Sequence, residues 1–377
     1  MKLMLVRDRN VLNTNWVVYL ANLFVGRGHD VVIACDTYSK LGKTTKGYEL
    51  DKRVRIANLN AKTSNPLVNI WRKFRGKFLF PYARFNWLIN EEEPDVIICY
   101  FPTDLYNITR FQHHNIPIVQ MVHNYPPIIL NKVLKKNFIM RQICKRSFLQ
   151  VNTFQVLMNS YKNDIDPFFE PKNIVRIANP VRQYDEKDTV DLTDEKKKII
   201  YVARVEKKIK QPHLLVEAFA KIAKDFPDWK VEIWGIKKYP EYDAEINSLI
   251  QKNNLENQVF LKGFSTDVES LYRGADIHAF PSNCEGFSLA IADAMAIGLP
   301  HIGFDYAHSV NEIIVDGHNG FLAKDVDDFA DKLKKLMSDK ALRIKFGKNA
   351  REDMKAYAPE VLLDQWDALF KKITKSK

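Results

Sequence analysis

Hydrophobic positions along the chain fall into short apolar runs separated by longer amphipathic segments. Lys2–Val6 reads as a strand, and the periodic run from Asn15 to Arg27 as a helix that Gly26 and Gly28 break. Asp30–Cys35 is the next strand, and 54–58, 95–100, 117–122 and 153–158 continue the series. Their near-continuous apolar character suits strands covered on both faces. A second series starts at Lys198, with strands predicted over 199–203, 230–235, 259–261, 276–280 and 301–303. Helices are predicted to begin near Pro212, Tyr242, Asp267 and Phe287, and Pro212 stands where a first-turn proline is tolerated.

This alternation predicts an α/β protein with parallel sheets. At 377 residues the chain is longer than one core usually serves, so two Rossmann-like domains facing a cleft are expected. Asn179-Pro180-Val181 is followed by a polar stretch, Arg182 to Lys198, where the hinge is placed. The expected domains are 1–182, joined by a C-terminal helix at about 359–377 crossing back to it, and 183–358. No apolar run approaches the ~20 residues of a spanning helix. The N-terminus MKLMLVRDRN reads as a first strand and not a signal peptide, which predicts a cytoplasmic protein. Cys35, Cys99, Cys144 and Cys284 have no paired spacing, so they are expected to be reduced.

Charge changes the picture by its distribution. The net charge is +11, yet Lys52–Asn163 alone holds seventeen Lys and Arg against five acidic residues. From Leu105 to Asn163 there is no acidic residue at all. A one-sided basic field implies a polyanionic partner: a membrane surface, nucleic acid or a phosphorylated substrate. Asn69–Leu88 interleaves five basic residues with seven aromatics, and Lys132–Arg146 adds a second basic stretch. Such mixtures suit the headgroup region of an anionic membrane, and the chain is expected to work peripherally on the inner face of the cell membrane.

The chemistry concentrates in Pro281–Pro300. After a predicted strand come Glu285, then Gly286, then an apolar helix opening at Phe287. A helix N-terminus offers free N–H groups and a positive dipole end to phosphate, and Gly286 permits close approach. Asp293 lies about two turns further on a similar face. Two spaced carboxylates beside an anion-binding helix end point to a ligand with phosphates and hydroxyls. A second cluster places Arg204 at a strand end and Lys210 before the next helix, where ligands of open α/β sheets bind. Lys207 and Lys208 compete with Lys210 for that role.

At these residues the C-terminal half resembles the large retaining glycosyltransferase family 4, of GT-B architecture. The likeness rests on Pro281-Ser282-Asn283-Cys284-Glu285-Gly286-Phe287, the Arg204–Lys210 loop, Gly263-Phe264, the run 292–300 and the turn 316–322. It is looser in the N-terminal half, where Gly26-Arg27-Gly28-His29-Asp30 and His123-Asn124 fit. The resemblance implies a metal-independent transfer, with retention, of a hexose-type sugar from a nucleotide diphosphate, commonly a UDP-sugar, to a glycan or lipid-linked acceptor. It implies that Glu285 meets donor-sugar hydroxyls while Arg204 and Lys210 neutralise the departing diphosphate. Backbone amides at Phe287, Ser288 and Leu289 would cradle phosphate, Phe264 would border the base, and His123 would face the sugar and acceptor.

Two departures stand out. The family's second glutamate is Asp293 here, one methylene shorter, where the ribose is expected. The glycine pair common after the first strand is replaced by Arg7–Thr14, RDRNVLNT. The Asp-x-Asp triplet Asp325-Val326-Asp327 precedes a helix and offers no metal site at a strand end. No cofactor is expected. An epimerase or hydrolase of the same architecture, and a basic nucleic-acid binder, are the alternative readings; the latter leaves Glu285 without a purpose.

Overall fold

A computed structural model describes residues 1–7, 15–35, 49–58, 80–109, 115–135, 138–169, 173–236 and 239–375. The loop at 8–14 and the aromatic-basic segment 69–79 lie outside the described residues. The chain forms two compact units, Met1–Ile177 with Leu362–Lys377, and Ala178–Val361.

The first unit is built on a seven-stranded parallel sheet. Its strands are β1 (Lys2–Arg7), β2 (Asp30–Cys35), β3 (Arg55–Asn58), β4 (Val96–Cys99), β5 (Ile118–Val122), β6 (Thr153–Val156) and β7 (Ile174–Arg176), in the order β3-β2-β1-β4-β5-β6-β7. Helices are α1 (Asn15–Gly26), α2 (Phe80–Glu92), α3 (Pro102–Thr109), α4 (Pro126–Leu134), α5 (Phe138–Phe148) and α6 (Tyr161–Phe169). Strand β4 is buried at every position, which is why it reads as an unbroken apolar run. Helix α1 ends where Gly28, at φ +93°, lets His29 N–H reach the Phe24 carbonyl and Gly28 N–H reach Val25, both at 3.0 Å. This left-handed termination needs glycine.

The second unit repeats the plan with β8 (Lys198–Val202), β9 (Lys230–Trp234), β10 (Val259–Gly263), β11 (Ile277–Phe280), β12 (His301–Phe304) and β13 (Gly320–Ala323). Their order is β10-β9-β8-β11-β12-β13, parallel throughout. Its helices are α7 (Pro212–Ile222), α8 (Pro240–Lys252), α9 (Val268–Arg273), α10 (Leu289–Ala296), α11 (Val310–Ile313), α12 (Val326–Ser338) and α13 (Lys340–Met354). The last helix, α14 (Pro359–Lys375), belongs to the first unit from Leu362 on. There Trp366 and Phe370 pack against Phe24 at 5.6 and 5.5 Å between ring centroids. Arg27 pairs with Asp364 and Asp367, and His29 Nε2 lies 2.8 Å from Asp367.

Three expectations need correction. Residues 182–198 are not a free hinge. Val190 N–H donates to the Ile297 carbonyl at 2.8 Å, Leu192 is buried, and Glu195 pairs with the buried Arg343. Polar composition there reflects a surface strap on the second unit. Strands β7 and β13 were not anticipated: each has only three or four residues, and β13 follows a tight turn at Gly317, φ +74°. Helix α10 opens at Leu289 and not Phe287, with Ser288 as its N-cap residue.

Candidate active site

In a sheet of this order the strand succession switches sides between β8 and β11, and ligands of open α/β sheets bind outside the carboxyl ends of strands at such a switch point. Two loops meet there. The Tyr201 ring of β8 stacks on Phe280 of β11 at 5.8 Å, and its hydroxyl donates to the Arg204 carbonyl at 3.0 Å. Backbone closeness fixes the loop further. A Cβ on Gly235 would lie 1.7 Å from the Ala203 carbonyl oxygen, so only glycine fits beside that turn. Gly235 N–H in turn donates to the Gly263 carbonyl at 2.7 Å, tying the ends of β9 and β10.

The loop after β8 and the loop after β11 are stitched together. Asn283 N–H and Ser282 Oγ both donate to the Ile209 carbonyl at 2.9 Å, and Asn283 Nδ2 donates to the Lys208 carbonyl at 2.8 Å. Ile209 N–H is held by Glu206 Oε1 at 2.8 Å. This lattice presents Lys210 to Glu285: Nζ lies 2.6 Å from Oε1, with side chains only 14% and 10% exposed. Ser282 Oγ is 2.5 Å from the same carboxylate oxygen. Lys210 Nζ also sits 5.0 Å from the Phe280 ring centre. A shielded ammonium with one anionic partner is a charge ready to be shared with an incoming phosphate.

Helix α10 starts beside this pair. Among the described residues, no hydrogen bond takes the N–H of Phe287 or Ser288, and Ser288 gives no side-chain cap. Leu289 differs: its N–H donates to the Phe287 carbonyl at 2.9 Å, so the expected third cradling amide is already engaged. The tight reversal that starts the helix consumes it. Phe287 is buried against Tyr357 at 5.5 Å, which anchors the turn and leaves its backbone for ligand.

Asp293 lies further along α10. It is half-buried, and its carboxylate has no hydrogen bond or ion pair among the described residues. Burial, helped by the negative charge of Glu269, pushes its carboxyl up to about 7. Tyr184 and Tyr272 feel the same carboxylate. Tyr272 donates to the Ala290 carbonyl at 3.0 Å, and Glu269 is ion-paired with Arg182 and, at 3.6 Å, with Arg273. A half-buried carboxylate with no donor of its own is an acceptor waiting for one.

The remaining expected residues take their places separately. Arg204 is exposed and 3.7 Å from Glu206. Gly263 has φ +92°, and Phe264 after it is 65% exposed, an apolar ring in water at the strand ends. Gly286 stands between Glu285 and Phe287 in the same loop. His123 belongs to the first unit, between Trp16 at 5.6 Å and Tyr100 at 4.9 Å. Burial lowers it to about 3, which keeps its ring neutral, and its Nε2 has no partner. His278 and His301 form a buried pair at 2.7 Å, both neutral through burial. Asp325 caps α12 and Asp327 pairs with Lys221, so both have structural work.

Sequence reasoning missed Gly235, Glu269 and the role of Ser282. Ser282 stood inside the motif and was legible there. Gly235 and Glu269 act through contacts across the sheet, for which a single sequence carries no signal.

Two family models together account for most of the chain: "Glycosyltransferase Family 4" matches residues 14–182 and "Glycosyl transferases group 1" matches residues 183–353. The chain is 25% identical over 336 residues to the poly(ribitol-phosphate) alpha-N-acetylglucosaminyltransferase of Staphylococcus aureus (strain COL), covering 86% of this chain and 65% of that protein. It is 26% identical over 201 residues to the poly(glycerol-phosphate) alpha-glucosyltransferase of Bacillus subtilis (strain 168), 53% of this chain and 28% of that one. The chain thus spans less than two thirds of the length of either relative. Among solved structures it is similar to a mutant of S. aureus TarM in complex with fondaparinux, alpha-GlcNAc-glycerol and UDP. The TM-score is 0.73 at 18% identity, over 98% of this chain and 99% of that one.

Proposed function

Because the chain belongs to the glycosyltransferases of GT-B architecture, we propose that it moves a hexose-type sugar from a UDP-sugar, with retention, to an acceptor in cell-surface polymer assembly. The observation that carries this reading is the half-buried Lys210–Glu285 pair at the head of α10, with free amides at Phe287 and Ser288 beside it. The donor diphosphate lies against those amides and the positive end of α10. Arg204 and Lys210 take the charge that grows on the leaving diphosphate, so no metal is required for that step. Once Lys210 turns to phosphate, Glu285 Oε1 is released to accept from the sugar hydroxyls. Asp293 accepts from the ribose, and Gly263 and Phe264 border the base. The two relatives whose names specify phosphate polymers support an anionic acceptor.

A screen of nucleotide sugars against lipid-linked and polyol-phosphate acceptors tests it, with the anomeric configuration of the product read by NMR. A product of α configuration from an α-linked donor, formed in EDTA, is expected. Inverted product sinks retention, and activity restored only by a divalent ion sinks the cationic account. Rapid epimer formation or hydrolysis without acceptor would make the chain an epimerase or hydrolase instead.

A further inference from the structure

Helix α5 of the first unit carries large apolar side chains on its outer face. Its buried positions are Cys144, Ser147 and Phe148. The opposite face holds Phe138 at 72% and Ile139 at 69% exposed, with Leu149 just past the helix end at 62%. Positions 138, 142, 145 and 149 follow helical spacing along one stripe, so Phe138 and Leu149 bracket Gln142 and Lys145. Lys145 and Arg146 are exposed on the same side, Arg141 is exposed on its flank, and Lys135 is exposed just ahead of the helix.

Ordinary surface helices separate these two kinds of residue, apolar stripe inward and cations outward. Here they share one face. Among the described residues none of Arg141, Lys145 and Arg146 has an ion pair. The charge is one-sided in depth as well. Helix α5 carries no acidic residue, and α4, packed beside it, has none. The only acid on α3, its other neighbour, is Asp104, wholly buried and 3.7 Å from Arg7.

We infer that this face of α5 docks on an anionic lipid surface, with Phe138, Ile139 and Leu149 entering the headgroup layer and the cations binding lipid phosphates. A bilayer takes bulky apolar groups to shallow depth and supplies anionic charge without fixed geometry, which matches exposed Arg and Lys beside exposed Phe, Ile and Leu. The inference goes beyond the transferase reading and does not depend on it.

The test is sedimentation of the full chain with phosphatidylcholine vesicles, with and without phosphatidylglycerol. Binding to the anionic vesicles only, weakened by salt, is expected. Arg141→Gln/Lys145→Gln/Arg146→Gln should lower the partition coefficient by about fivefold per cation, and Phe138→Ser/Ile139→Ser by about tenfold. The equivalent charge change on the second unit, Lys224→Gln/Lys252→Gln/Lys335→Gln, should leave binding nearly unchanged. Circular dichroism and nucleoside diphosphate affinity should match wild type in all three, showing that they fold. Equal vesicle binding by wild type and the α5 triple variant overturns the proposal, as does an equal loss in the control triple. Self-association abolished by Phe138→Ser, without vesicle binding, overturns it in favour of a second copy of the chain.

Discussion

Replacing Asp293 by Asn should make the free protein more stable and the nucleotide complex weaker. The free carboxyl titrates at about 7 instead of 3.8, because burial and the charge of Glu269 oppose its ionisation. The shift is about three units, and at 1.36 kcal/mol per unit it amounts to about 4 kcal/mol. Part of the side chain reaches solvent, which discounts this to roughly 2–4 kcal/mol. The sign is that of an acid raised on folding: below its unfolded value both states are protonated and nothing is lost. As pH rises toward the folded value the unfolded chain ionises first, so native stability falls until both are ionised. Asp293→Asn removes that loss, so it should equal wild type near about pH 3 and exceed it by roughly 2–4 kcal/mol near about pH 8.

Binding should move the other way. Ribose hydroxyls donate to an ionised carboxylate more strongly than to an amide, a difference of about 1–1.5 kcal/mol and thus about five- to tenfold in affinity. Wild-type affinity for UDP should also rise with pH through about 7, with proton release seen as a buffer-dependent heat. Denaturant unfolding across pH and calorimetric titration with UDP decide the matter. A variant less stable than wild type at high pH, or a difference flat with pH, refutes the burial argument. Unchanged UDP affinity refutes the ribose assignment.

Three further outcomes follow from the same geometry. Lys210→Ala or Arg204→Ala should cost about 2.7–4 kcal/mol of barrier at saturating donor, and an unchanged turnover removes that residue from the diphosphate site. Gly235→Ala should lower both melting temperature and turnover, since its Cβ would press on the Ala203 carbonyl from 1.7 Å; a variant with wild-type turnover shows that the 203–210 loop tolerates the shift. Trp366→Ala should destabilise the first unit by about 3–5 kcal/mol, measured by chemical unfolding, and a loss under 1 kcal/mol would mean that α14 docks through its ion pairs.

The sequence by itself determined the layers and the chemistry of single loops. Apolar runs such as Ile199–Val202 declare buried parallel strands because period and composition are local properties. The stretch from Pro281 to Phe287 marks a candidate anion site because the strand end, the carboxylate and the helix start are contiguous in the chain. Short elements escaped: β7 and β13 are held by a neighbouring strand and not by their own three or four residues. The polar strap 182–198 looked like a hinge because its hydrogen bonds run to Ile297 and Arg343, more than a hundred residues away. Only the tertiary structure decided that Lys210 and Glu285, 75 residues apart, hold each other at 2.6 Å. It alone showed that Leu289 spends its amide on Phe287 and that Asp293 faces Glu269 without a donor. Those facts depend on distances across the sheet and on desolvation, which packing creates and which no local run of residues encodes.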